Sequence, residues 1–304
     1  MKNNIDLNDF EHPENEVDIK ELLKVLWGGK IIIIASTTVF SILAVLYSLS
    51  LPNIYTSTTL LSPVGQETSA GNSNGGIGGL ASLAGISLSG QSIGNSSKAL
   101  TKVKTLSFYK ENILPNIFLP DLVAIESWDS QNNIITYASN KFYDAESKTI
   151  LKTASPQTTY KMFMKIVTFS KDTNGFISIS IKHQSPYIAK EWTELIVEQL
   201  NQFYRTQDKQ QAESSMNFLN AQIAQTSFTE IKNIIAELLK QEIQKLSLIQ
   251  ANDFYVFSYL DPPIVKEEKS EPERSSISIL GAVFGFMLSI LVVLLKDYIS
   301  VRRS

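Results

Sequence analysis

Glu191, Glu194 and Glu198 recur at three- and four-residue spacing. Such a set is the raw material of paired-carboxylate catalysis, in which one group protonates a leaving oxygen and another activates water, as in a glycan hydrolase. The same spacing also places all three on the surface of one helix beside Lys190, and a solvated, ion-paired face is the simpler reading. Imidazole chemistry could draw only on His12 and His183, one in a polar head and one at a strand end, so a His-based metal site or triad is not expected. There are no cysteines. Nine of the fourteen glycines lie between Gly65 and Gly94, but a phosphate cradle needs a lysine directly after its glycines, and the nearest is Lys98. The expectation is a non-enzyme with no cofactor and no metal.

The elements that would position any site begin with two apolar runs free of charge, Ile31 to Ser50 and Ile277 to Leu295. Each is about twenty residues, which at 1.5 Å per residue matches a hydrocarbon core of roughly 30 Å. Both are read as transmembrane helices, with everything between them tethered at both ends to one bilayer face. Lys20, Lys24 and Lys30 precede the first run closely, whereas Leu51 to Ser97 holds no Lys or Arg. By the positive-inside rule the N-terminus is cytoplasmic and the large middle part lies outside. Lys296, Arg302 and Arg303 after the second run agree. Lys266, Lys269 and Arg274 fall outside in this reading, interspersed with Glu267, Glu268, Glu271 and Glu273. A cleaved signal peptide competes, since Ser48 and Ser50 are small enough for a cleavage site. The run is longer than a usual signal core and starts far into the chain.

The net charge is -3, and no strongly basic stretch suggests nucleic acid. Between the spans remain about 225 residues, enough for one sizeable core or two small ones. The expected class is α+β, with a membrane-proximal mixed sheet and long projecting helices.

In chain order, residues 1–30 form a cytoplasmic head whose Ile19, Leu22, Leu23 and Leu26 make a short amphipathic helix, with Asp18 and Glu21 as a capping pair and Trp27 at interface level. Residues 31–50 are the first span and 51–276 the outer domain. Asn53 to Ser62 reads as a strand ended by Pro63, and 65–94 as a flexible glycine-rich loop. That loop carries Leu80, Leu83, Ile86 and Leu88, which suggest contact with a membrane or a neighbouring subunit. A helix capped by Ser96 or Ser97 runs to about Lys110, and Asp144 to Thr153 reads as helical. Ile166 to Lys171 and Phe176 to His183 form a hairpin around Asn174-Gly175. Ser185-Pro186 starts a helix with no breaker until Thr226, and its middle, Arg205 to Ser215, sheds its apolar face. A second helix follows a Ser227/Glu230 capping box, with Ile231, Ile234, Ile235, Leu238, Leu239, Leu246 and Ile249 on one side, giving a helical hairpin over 186–250. Asp253 to Leu260 is a strand expected to neighbour the one after the first span. A connector over 261–276 carries Pro262, Pro263 and Pro272, which stiffen the link to the second span at 277–295. Within that span Gly281 and Gly285 form a G-x-x-x-G pair that lets another helix approach closely. A tail, 296–304, closes the chain.

This layout resembles the chain-length determinant family of bacterial polysaccharide co-polymerases. The resembling pieces are DIKELLKVLWGGK before the first span, LPNIY after it, the GGIGGLASLAGIS loop, SPYIAKEW, FYRTQDKQQAESSMNFLNAQI, and YLDPPIVKEEKSEPERSSISILGAVFG. The family's proline and glycine elements fall on Pro262, Pro263, Pro272, Gly281 and Gly285. Its members more often follow the last proline with a basic residue, where this chain has Glu273 before Arg274. The resemblance implies an inner-membrane protein with a periplasmic α/β domain and long helices, assembled into closed rings. It would set the modal length of a polysaccharide, typically O-antigen, made by a separate membrane polymerase from lipid-linked repeat units. A capsule or exopolysaccharide export co-polymerase is the alternative. A chain ending at Ser304 would then need a separately encoded tyrosine kinase and an outer-membrane channel.

Overall fold

The protein is described by a computed structural model over residues 19–64, 97–251 and 254–303. The polar head, Asp18 of the capping pair, and the glycine-rich loop with its apolar members lie outside the described residues. The chain divides into two compact units, 1–52 with 272–304, and 53–271.

The first unit is helical. Helix α1 (Ile19–Gly28) is followed after Gly29 by α2 (Lys30–Ser50). The backbone hardly breaks there, because the Gly29 N–H donates to Val25 O and Leu26 O and its carbonyl accepts from Ile33. The chain's last helix, Arg274–Arg303, packs along α2. Lys30–Ser50 and Arg274–Ile299 are long and apolar enough to cross a membrane, and few of their residues are buried. Ile31, Leu43, Leu280 and Met287 all stand more than half exposed. So little of the pair is buried within the chain that they are not core helices of the sheet body. The polar side chains Ser48 and Ser289 are instead turned inward.

The second unit is built on a four-stranded sheet. Its first strand is β1 (Tyr55–Pro63), which includes Pro63. Residues 97–103 are helical, and the expected continuation to Lys110 fails at Lys104. Thr105 opens a fresh turn by accepting from the Phe108 N–H. A five-residue π-turn, Tyr109–Ile113, and a 3₁₀ turn containing Pro115 then carry the chain across the core. The short helix α3 (Leu119–Val123) leads to a hairpin, β2 (Ile125–Asp129) and β3 (Ile134–Tyr137). Asp144 to Thr153 is not helical. It holds a two-residue ladder, β4 (Tyr143–Asp144) with β5 (Thr149–Ile150). Asp144 accepts from the Ser147 hydroxyl and the Glu146 N–H, and Lys148 takes a positive φ of 52°. Side-chain turn bonds have displaced the helix there.

Helix α4 (Pro156–Ile166) precedes β6 (Val167–Lys171) and β7 (Ile177–His183). The turn between these strands places Gly175 at φ 91°, and Asp172 accepts from the Phe176 N–H. Helix α5 (Pro186–Gln225) spans 40 residues, or about 60 Å. Its partner α6 (Thr229–Ala251) packs back along it, and β8 (Phe257–Asp261) completes the sheet. The terminal helix of the first unit is α7.

The sheet order is β6-β7-β1-β8 with every pair antiparallel, so the sheet is not mixed. The expected neighbours β1 and β8 do pair, Leu61 opposite Tyr259. Strand β7 alternates strictly, burying Ile177, Ile179, Ile181 and His183. Against this face pack Trp192, Ile196, Val197 and Leu200 of α5, with Phe108, Tyr109 and Ile113. Each buried Ile contributes about 1.5–3 kcal/mol relative to exposure. Beyond Asn201, α5 buries only Ala212, so the helix leaves the core where its apolar face ends. On α6, Ile235 and Ile249 are buried, but Ile231, Ile234 and Leu238 are exposed. The apolar side read from the sequence is thus only partly covered by α5.

Candidate functional site

Three places were marked by residue type, and the structure treats them differently. The glycine pair on α7 faces α2. A Cβ on Gly285 would come within 2.6 Å of Phe40 Cβ, and one on Gly281 would overlap the Ala44 methyl. Gly29 meets Val293 in the same way, at 2.5 Å from Cγ1. Phe40 and Phe284 close the contact edge to face at 5.9 Å. The close-approach helix is therefore the chain's own first apolar helix.

The proline connector is an irregular segment tied to β1 of the sheet body by hydrogen bonds. Two buried hydroxyls of β1 donate to it, Thr59 to Asp261 O at 2.7 Å and Ser57 to Ile264 O at 3.1 Å. Pro262 is exposed and Pro263 buried between these anchors. The connector ends in a bridge between Ile54 and Glu271, closed by Ile54 N–H to Glu271 O at 2.9 Å and Ser270 N–H to Ile54 O at 2.8 Å. Lys182 pairs with Glu271 at 2.5 Å beside it. The sheet body's first and last residues are thereby clamped side by side. Pro272, in the helical unit, stands two residues ahead of α7.

The carboxylates face a cleft. At the point where α5 leaves the core, buried Asn201 fastens the start of the returning strand. Its Oδ1 accepts from the backbone N–H of Tyr255, Val256 and Phe257, and its Nδ2 donates to Phe257 O. Farther along the helix the Tyr255 hydroxyl donates to Asp208 at 2.5 Å; burial, then Asp208, push that phenol up. Beside Asn201 lies an open surface groove of about 400 Å³, in which Glu198, Gln202 and Phe254 are exposed. Glu194, Glu198, Gln202 and Arg205 form its helical wall, with Phe254 and Tyr259 opposite. The two rings stand edge to face at 5.5 Å. Glu194 pairs with Lys190 at 3.0 Å, while Glu198 has no ion pair among the described residues. Burial first, then the charges of Glu194 and Glu198, push the Tyr259 phenol up to about 12. Tyr259 is therefore a hydroxyl donor across the physiological range. Glu191 is exposed.

His12 lies outside the described residues. His183 is a core residue. Its Nδ1 accepts from the Ser185 N–H at 3.0 Å, which leaves Nε2–H to donate to Asp121 O at 2.9 Å. Its ring meets Trp192 edge on at 5.2 Å. Burial lowers its pKa, and burial likewise raises that of Asp121, whose carboxylate accepts from the Tyr137 hydroxyl at 2.6 Å. With both ring nitrogens bound to backbone, His183 is not free to act as a base. A G-x-S-x-G string at 90–94 lies outside the described residues. Among the described residues no three His, Asp or Glu side chains converge on a metal position.

The spacing of 194, 198, 202 and 205 on one helical face was legible in the sequence. The opposite wall was not, because Phe254 and Tyr259 arrive some fifty residues later through a tertiary pairing.

An antiparallel sheet with a long helical hairpin, joined by the chain to two helices long and apolar enough to cross a membrane, defines the class as α+β. The family model described as "Wzz: Chain length determinant protein" matches residues 15–113. Two solved structures are similar. One, described as "full-length bacterial polysaccharide co-polymerase", is 14% identical, with 93% of this chain and 98% of that chain covered and a TM-score of 0.43. The other is a fragment of WzzB, a polysaccharide co-polymerase from Salmonella Typhimurium. It is also 14% identical, with 72% of this chain and 100% of that chain covered and a TM-score of 0.31. No curated protein matches the sequence.

Proposed function

We propose that the chain is a non-catalytic regulator of polysaccharide chain length in the bacterial inner membrane, working beside a separate membrane polymerase as a homo-oligomer. The observation that carries this reading is the match of residues 15–113 to the chain length determinant model. That stretch includes α1, the first apolar helix and β1. The two apolar helices support placement in a bilayer with both termini cytoplasmic and the sheet body periplasmic. The carboxylate cleft, with a protonated tyrosine and aromatic rings, is suited to holding a ligand. O-antigen of lipopolysaccharide is the proposed polymer, and a capsule or exopolysaccharide export role is the alternative outcome. Deleting the gene should change the length distribution of surface polysaccharide on a gel without abolishing repeat-unit synthesis. An unchanged ladder together with lost capsule would move the protein to the export class, and neither change would remove the proposal.

A further inference from the structure

We infer that the cleft between α5 and the segment 254–259 is a saccharide-binding site that accepts neutral or amino-bearing sugar units and rejects acidic ones. This rests on the proposed function for the choice of a saccharide, and on the cleft itself for its selectivity. The volume of about 400 Å³ lies within the range of small-ligand sites, roughly 300–1,000 Å³. Its lining is more polar than apolar, setting the Phe254 and Tyr259 rings among Glu194, Glu198, Gln202 and Arg205, as a hydroxyl-rich ligand requires. The Phe254 side chain is 42% exposed, so its ring is available to the apolar C–H face of a pyranose.

The polar groups sort by role. Glu198 and Glu194 are acceptors only, suited to the hydrogens of hydroxyl or ammonium groups. The Tyr259 hydroxyl, held protonated by burial and by those carboxylates, is a donor to a ring or hydroxyl oxygen. Gln202 can do either. Asn201 is not a ligand group, because its amide is spent on backbone, but it fixes the spacing of the two walls. A ligand carboxylate at this wall would meet the charge of Glu198, which has no ion pair among the described residues, Glu194 being offset by Lys190 at 3.0 Å, whereas an ammonium group would meet opposite charge and an aromatic pair. Arg205 lines the same groove three turns along the helix from Glu194, whereas the Tyr259 hydroxyl stands by Glu194 and Glu198.

The test uses the full chain in phosphatidylcholine nanodiscs, since glycoside detergents would compete. Three disaccharides serve as probes in calorimetric titration: chitobiose, its de-N-acetylated diamine, and digalacturonate. The diamine should bind at least as tightly as chitobiose, and digalacturonate at least tenfold more weakly. Phe254→Ala and Glu198→Gln should each weaken diamine binding fivefold or more, with circular dichroism and melting unchanged. Equal or tighter binding of digalacturonate, no binding of any probe, or undiminished binding by both variants would overturn the site. An altered polysaccharide ladder on gene deletion combined with no probe binding would overturn the cleft and leave the proposed function standing. Variant-sensitive binding in a chain whose deletion leaves the ladder unchanged would support the cleft and remove the proposed function.

Discussion

His183 is the residue whose chemistry changes most between sequence and structure. In the sequence it closes an alternating strand, and in the fold it ties β7 to α3 and to the start of α5 through two backbone bonds. A protonated ring would lose its acceptor for the Ser185 N–H, at the turn from which the 40-residue helix departs. Its folded pKa is lowered by burial, so between that value and the unfolded value near 6.5 the unfolded chain binds more protons than the folded one. The contribution is fully present above about pH 6.5 and is lost as pH falls through that window. Asp121, with a raised pKa, works in the opposite sense, since its folded carboxyl gains protons more readily than the unfolded one as pH falls toward 3.8. His183→Gln retains one donor and one acceptor without titrating. The variant should lose less melting temperature than the parent between pH 7 and pH 5, each kcal/mol corresponding to about 2–4 °C in a body of this size. Parallel curves for the two proteins would refute the assignment.

Among the elements, α2 and α7 depend on the absence of side chains at three places. Leucine at both Gly281 and Gly285 would drive the helices apart at Ala44 and Phe40, with overpacking costing about 1–3 kcal/mol per site. In the double variant, a disulfide formed between cysteines introduced at Gly29 and Val293, where a Cβ on Gly29 would lie 3.2 Å from the Val293 Cβ, should lose most of its yield. Hydrogen-exchange protection of the sheet body should stay at the parent level. An unchanged yield would show that the glycines do not set the packing. The long helices, the β6-β7 hairpin and the apolar spans were legible because each follows one period for many residues. The Asp144 to Thr153 hairpin was not, since its turn is decided by Asp144 and a positive-φ Lys148 that any propensity scale would pass over. Helix α4 went unread although Ser155-Pro156 opens it with the same signal as Ser185-Pro186. The antiparallel sense of the sheet depends on how a strand near one end of the chain meets one near the other, and no local pattern records that.

For the whole molecule, the α5–α6 hairpin poses the remaining question. It carries Phe218, Phe228, Ile231, Ile234 and Leu238 with exposures from 42% to 69%, and no other part of the sheet body covers them. A sequence that keeps apolar residues in register along a helix and leaves them bare in a single chain is organised for association, because contiguous apolar patches on isolated soluble bodies are small. In the proposed function the occupant is a second copy of the same hairpin. The glycine stripe on α7 is already filled by α2, so the hairpin is the surface left to carry contact between copies. Ile234→Asp combined with Leu238→Asp removes apolar area from that stripe and adds like charges across any symmetric contact. The nanodisc-embedded or detergent-solubilised double variant should fall to a smaller mass by light scattering, with far-UV circular dichroism unchanged. Length control should be lost in the same cells, because a regulator that acts as an assembly cannot act as separate chains. An assembly of parental mass would place the contact elsewhere and leave the exposed stripe to the polymerase.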